Sequence, residues 1–170
     1  MASIFGHAVV GFTITKLFDK QDKKLLLLAI VSSFLPDIDV LAFNFGIPYA
    51  HPLGHRGFTH SIIFAILWAV LLTSIFRKGS ALKWFLVIFL STISHGLLDA
   101  MTSGGRGVGF FIPFNNERIF FPFREIVVSP LGMDRFFSKW GLQVILSELK
   151  YIVVPCTIVL LVRFLFQKKS

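Results

Sequence analysis

Leu82-Lys83-Trp84-Phe85-Leu86-Val87-Ile88-Phe89-Leu90-Ser91-Thr92-Ile93-Ser94-His95-Gly96-Leu97-Leu98-Asp99 is apolar for most of its length and close to the ~20 residues a helix needs to cross a bilayer. Its end breaks the pattern with Ser94-His95-Gly96-Leu97-Leu98-Asp99. His95 and Asp99 are four residues apart, so on a helix they stack on one face, one turn apart. An imidazole and a carboxylate so placed can hold a divalent cation, as two histidines at that spacing do in zinc proteases. A hydrogen-bonded pair closing the helix is the plain alternative. Ionisable groups in or beside apolar spans are costly, and that cost favours a functional reading.

The rest of the chain has the same character. Of 170 residues 55% are hydrophobic and 15% charged, against about 25% charged in soluble domains, and the mean hydropathy is +0.76. This predicts an all-α, multi-pass membrane helical bundle of about 4–5 segments in one domain over residues 1–170. The segments fall at about 4–18, 25–36, 61–76, 82–99 and 145–166, with outer loop segments 37–60 and 100–140. The first two are short for full spans, so three spans plus two half-helices is the competing count. Gly6 and Gly11 would let another backbone approach closely. Pro36 stops the second run, and Thr59 or Ser61 caps the third. The Phe-rich segment after Asp99 is long for an idle loop; its phenylalanines suit either interfacial lipid contact or ordinary anchoring.

The net charge of +8 does not point to nucleic acid, because the bases gather beside apolar spans, where they set topology. Three clusters, Lys16/Lys20/Lys23/Lys24, Arg77/Lys78/Lys83 and Arg163/Lys168/Lys169, are expected on the cytoplasmic side, with the N-terminus outside. Arg106, Arg118, Arg124 and Arg135 on the outer side make the bias incomplete. The lone Cys156 excludes a disulfide framework and a cysteine metal site. No cleavable leader is expected, since the lysines follow the first apolar run.

If each segment reverses the chain, the residues with ligand chemistry collect at one end: His7, Asp37, Asp39, His55, His60, His95 and Asp99. In Asp37-Ile38-Asp39 an extended backbone would aim both carboxylates at one site. A continuing helix would point them apart and leave one to support a ligating histidine. His55 and His60 do not share a helix face, but a turn at Gly57 lets them converge. His60, at a helix start, is the better ligand candidate. Arg56 beside them reads either as a headgroup-level arginine or as a phosphate clamp. His7 gains weight only from its end of the molecule, and His51 is read as a loop residue. Nitrogen and oxygen donors without sulfur suit a divalent metal, zinc foremost, as one or two ions.

At these residues the sequence resembles a known family. His7, Pro36-Asp37-Ile38-Asp39, His55-Arg56-Gly57-Phe58-Thr59-His60-Ser61 and Ser94-His95-Gly96-Leu97-Leu98-Asp99, followed by Thr102-Ser103-Gly104-Gly105, resemble the YdjM-like family over residues 1 to about 115. That family consists of bacterial inner-membrane proteins, one of them LexA-regulated, described as metal-dependent hydrolases. More distantly, the order of motifs is similar to the all-helical zinc-dependent phospholipase C and S1/P1 nuclease group. That resemblance implies His7, Asp37 or Asp39, His60, His95 and Asp99 as ligands. The group's later His/His/Glu set has no counterpart here, since no histidine follows His95, so one or two metals are implied, not three.

The expected activity is metal-dependent hydrolysis of phosphoester bonds in membrane lipids or related small molecules, with Asp37 or Asp39 as general base and Arg56, with Arg106, neutralising phosphate. Two rivals are a divalent-cation carrier or sensor and a structural protein whose polar cluster only holds helices together.

Overall fold

Short connections dictate the topology. The computed structural model describes residues 1–130 and 137–167; Arg135, Lys168 and Lys169 of the expected arginine and lysine sets lie outside the described residues. Helix α1 (Ile4–Phe18) is joined to α2 (Lys23–Phe34), and α3 (Ile62–Phe76) to α4 (Ala81–Ala100), by four-residue turns, and connections this short return the chain antiparallel. Each helix start is closed by a side chain that accepts from the first turn: Ser3, Asp22, Ser61 and Ser80. Ser61, not Thr59, is the cap of α3.

Pro36 does less than the sequence suggested. It ends the α geometry, but the chain winds on as a 3₁₀ helix over Leu35–Phe45. Pro36 sits in its first turn, where a missing N–H costs little. Gly46, at φ 72°, ends it. The expected short second segment and loop from residue 37 are thus corrected: Lys23–Phe45 is one helix of 23 residues, long and apolar enough to cross a membrane. Ala81–Ala100 and Lys139–Gln167 also qualify, whereas α1 and α3 are shorter. The last helix, α5 (Lys139–Gln167), starts earlier than the expected 145. It is α-helical except for a π turn at Leu149–Val153. Pro155 lies just beyond; it cannot bond the carbonyl four residues back, and a π turn at that place relieves the clash.

Leu25, Ala29, Ala69, Leu72, Trp84, Val87 and Ile88 form the core between α2, α3 and α4. Helix α1 lies against α2 and α4, and α5 lies outside α1 with most of its apolar surface uncovered. Gly11 faces α2 so closely that an added Cβ would stand 2.9 Å from Ser33 Oγ and 3.0 Å from the Ala29 carbonyl, the close backbone approach expected of it. The segment after α4 is irregular, pinned by isolated bridges Thr102–Ile126 and Val108–Ile119. It buries Phe110 against Ala100 and Val108 and leaves Phe111, Phe114 and Phe123 exposed.

The basic ends meet. Lys83 Nζ is 2.5 Å from Asp19 Oδ2, holding that carboxyl down to about 2 and tying the α1–α2 turn to the start of α4. Lys24 lies over the Phe76 ring at 4.4 Å. Lys20 bonds Gln167, and Arg163 bonds the Lys16 carbonyl. The start of α1, the Leu35–Phe45 helix and the end of α4 are therefore at the opposite end.

Candidate metal centre

Four residues from three parts of the chain bring donor atoms to one point. Asp37, His60, His95 and Asp99 each offer one atom, all within 4.8 Å of one another. His95 Nε2 is 3.3 Å from Asp37 Oδ1, and His60 Nε2 is 3.8 Å from both Asp37 Oδ1 and Asp99 Oδ2. Among the described residues these buried atoms have no hydrogen-bond partner. Leaving buried polar atoms unpaired costs about 1–3 kcal/mol each, so such a gathering calls for an occupant. Zinc bonds of about 2.0–2.1 Å place tetrahedral donors about 3.3–3.4 Å apart. The donor set fits a metal ion in chemistry; the 3.3 Å His95–Asp37 separation matches that spacing, and the 3.8 Å separations from His60 are wider.

The surrounding bonds orient the imidazoles. His95 Nδ1 donates to the Ser33 carbonyl at 2.8 Å, which leaves a lone pair on Nε2, aimed into the site. His60 Nδ1 is 3.1 Å from Asp39 Oδ2, with the same consequence. Burial pushes His60 below its ordinary pKa, favouring the neutral, ligating form. A histidine–carboxylate pair behind a ligand is the usual way a metal site fixes its rings.

Asp39 occupies that supporting position. Helical winding turns it away from Asp37, the second of the two arrangements open from sequence. Its Oδ1 is 2.7 Å from His55 Nδ1, and its Oδ2 accepts from the Arg56 N–H at 3.0 Å and from Thr59 Oγ1 at 2.7 Å. Asp39, His55 and His60 form a second group with metal-binding donors, but its carboxylate is already engaged by these four donors. His7 stacks on His95 with centroids 3.8 Å apart. Its Nε2 is 3.6 Å from Asp99 Oδ1, and neither ring nitrogen has a hydrogen-bond partner among the described residues.

Arg56 is 1% exposed. Its Nε is 3.0 Å from Asp99 Oδ2, an ion pair whose angle falls short of a hydrogen bond. Its other nitrogens donate to the Gly104 carbonyl at 3.0 Å and to Thr102 Oγ1 at 3.1 Å. Its backbone, at φ 61°, sits where non-glycine residues are strained, held by Asp39 on one side and by Gly109 N–H to the Arg56 carbonyl at 2.9 Å on the other. A Cβ at Gly105 would stand 2.6 Å from Arg56 Nη1, so that glycine makes room for the guanidinium. His51, read as a loop residue, is exposed and accepts from Leu53 N. A cavity of about 270 Å³ opens beside His55 and Arg56, lined also by Tyr49, Gly105, Ser129 and Trp140.

Sequence reasoning missed Glu148. This buried carboxylate of α5 accepts from Ser3 N–H at 2.5 Å and Ser3 Oγ at 2.6 Å, next to Ala2, whose N–H donates to Asp99 Oδ1 at 2.9 Å. The one acid of the last apolar segment, two residues before Lys150, was the available signal.

Fold and site together define an all-helical membrane protein with a buried His/Asp cluster of the kind that could hold a metal ion. The chain belongs to the family described as YdjM inner membrane protein, whose model matches residues 1–169, well beyond the 115 or so over which the resemblance was legible. Inner membrane protein YbcI of Escherichia coli (strain K12) is 42% identical over 161 residues, covering 91% of this chain and 92% of that relative. No solved structure matches.

Proposed function

We propose that this protein is a membrane-embedded metal-dependent hydrolase acting on phosphoester bonds of lipids or related substrates. The observation that carries the reading is the convergence of four buried donor atoms from Asp37, His60, His95 and Asp99, none with a hydrogen-bond partner among the described residues. Nitrogen and oxygen donors without sulfur favour zinc. One ion suits the donors better than two, because both Asp39 oxygens are taken.

Bound there, the ion would supply an activated water and polarise a phosphoryl oxygen. The chain's own residues divide the remaining work. His95 and His60 present Nε2 lone pairs, fixed by the Ser33 carbonyl and by Asp39. Asp37 takes the general-base role in preference to Asp39, because its Oδ2 has no hydrogen-bond partner among the described residues whereas both Asp39 oxygens are engaged. Arg56 holds Asp99 and the turn at residues 102–104 in place. The exposed Arg106, whose guanidinium lies 5.8 Å from the Tyr49 ring centre, is better placed to meet a phosphate. The positive-inside rule puts the lysine-rich end in the cytoplasm and the centre on the extracytoplasmic side. The likeness of motif order to the zinc-dependent phospholipase C and S1/P1 nuclease group supports the phosphoester class.

The seclusion of the donors supports a second reading, a divalent-cation carrier or sensor, since His7, His60, His95 and Asp99 are all 2% exposed or less.

Metal content by mass spectrometry on detergent-purified protein tests both. Near-stoichiometric zinc is expected in wild type, and its loss in folded His95→Ala and Asp99→Ala variants. No metal after supplementation sinks both readings and leaves a structural cluster. Metal with phosphoesterase turnover selects the hydrolase; metal with flux into liposomes and no turnover selects the carrier.

A further inference from the structure

At the end of the molecule opposite the metal centre, Lys16 and Lys20 from α1 and its turn meet Arg163, distant in sequence, on α5. With Leu160 and Phe164 they line a cleft of about 330 Å³. None of the three cations forms an ion pair with a described carboxylate. Their donors instead reach neutral oxygens: Lys16 Nζ the Lys20 carbonyl at 2.9 Å, Lys20 Nζ the Gln167 amide, and Arg163 the Lys16 carbonyl. The neighbouring acids are occupied. Asp19 pairs with Lys83, and Asp22 accepts from Lys24 N–H and Leu25 N–H to cap α2. The positive-inside rule explains cations at this end but not their convergence, from distant parts of the chain, on a cleft with apolar walls. The cleft adjoins the uncovered apolar face of α5, where Leu161, Val162 and Leu165 are exposed.

We infer that this cleft binds an anionic phospholipid of the cytoplasmic leaflet, the phosphate among Lys16, Lys20 and Arg163 and an acyl chain along Leu160 and Phe164. Basic pockets between helices at this face are the recurring form of headgroup sites, and an arginine beside lysines provides both a fork and point charges for phosphate. A zwitterionic headgroup brings its own ammonium beside the phosphate and leaves the excess positive charge of the cleft unneutralised, so selectivity follows from net charge. The site is separate from the metal centre and does not depend on its function.

Native mass spectrometry of the detergent-purified full chain tests this, with phosphatidylglycerol and phosphatidylcholine of identical acyl chains. Phosphatidylglycerol is expected to bind on the order of tenfold more tightly. The preference disappears in K16Q/K20Q/R163Q and survives in K23Q/K24Q, which removes two charges outside the cleft. Where the triple variant does not fold, K20Q alone, at an exposed position, still weakens phosphatidylglycerol binding about threefold. Equal binding of the two lipids, no loss in K20Q, or an equal loss in K23Q/K24Q overturns the proposal. Displacement of the lipid by millimolar inorganic phosphate does so too, since it would make the cleft a free-anion site. Metal content measured on the same samples is expected to be unchanged, which separates this result from the fate of the metal centre.

Discussion

Asp37 and Asp39 lie two residues apart and do different work. Asp37 turns unpartnered oxygens toward His95, and Asp39 is held by four donors from residues 55–60. Asp37→Asn should therefore abolish any activity while lowering metal content, whereas Asp39→Ala should weaken metal affinity about 10–100-fold by freeing the His60 ring. Metal titration of the two folded variants checks this; identical losses would place Asp39 among the ligands. Arg56 is a harder case, because sequence permits a phosphate clamp and the structure engages its guanidinium with Asp99, Gly104 and Thr102. Removing one partner of a buried ion pair costs about 3–5 kcal/mol, so Arg56→Ala should lower the unfolding temperature sharply. Arg56→Lys should not rescue it, since one ammonium cannot replace a planar fork. An Arg56→Ala protein with unchanged melting and lost phosphoester turnover would restore the clamp.

The elements succeed through their close approaches. Gly11 admits α2, and Gly96 admits the loop before α3, where an added Cβ would meet the His60 carbonyl at 3.1 Å. Gly11→Val inserts a branched side chain against Ser33 and the Ala29 carbonyl, and overpacking of this kind costs about 1–3 kcal/mol. The Ser33 carbonyl is also the acceptor for His95 Nδ1, so this variant should weaken metal retention as well as lowering the melting temperature. A melt with parallel metal analysis would show both; a destabilised protein with full metal occupancy would mean that α2 does not position His95. The Leu35–Phe45 helix shows how an element can be misread. Proline punctuates α geometry, but a 3₁₀ turn accepts it in its first positions, so the helix runs on and carries Asp37 and Asp39 into the site.

Across the whole molecule the two ends differ in charge. Lys16, Lys20, Lys24, Lys83 and Arg163 collect at one end and the His/Asp cluster at the other. The positive-inside rule then assigns sides. In a Cys156→Ser background, a cysteine at exposed Asn115 should react with a membrane-impermeant thiol reagent added outside intact cells. One at exposed Ser80 should react only after lysis. The reverse pattern would place the metal centre in the cytoplasm and, with it, invert the leaflet assigned to the basic cleft.

Composition and apolar runs were enough for a multi-pass helical membrane protein, because hydrocarbon admits few other folds. The i,i+4 spacing of His95 and Asp99 was enough to mark the site, because a helix translates spacing directly into direction. What needed tertiary structure were the features that depend on contacts between distant segments. These are the division of labour between Asp37 and Asp39, set by the winding after Pro36; the engagement of Arg56, set by the segment after α4; and the burial of Glu148 against Ser3. The basic cleft belongs with them, since Lys16 and Arg163 become neighbours only when α5 packs along α1. Sequence periodicity reports which face of its own element a residue occupies, and which partner meets that face is decided by packing alone.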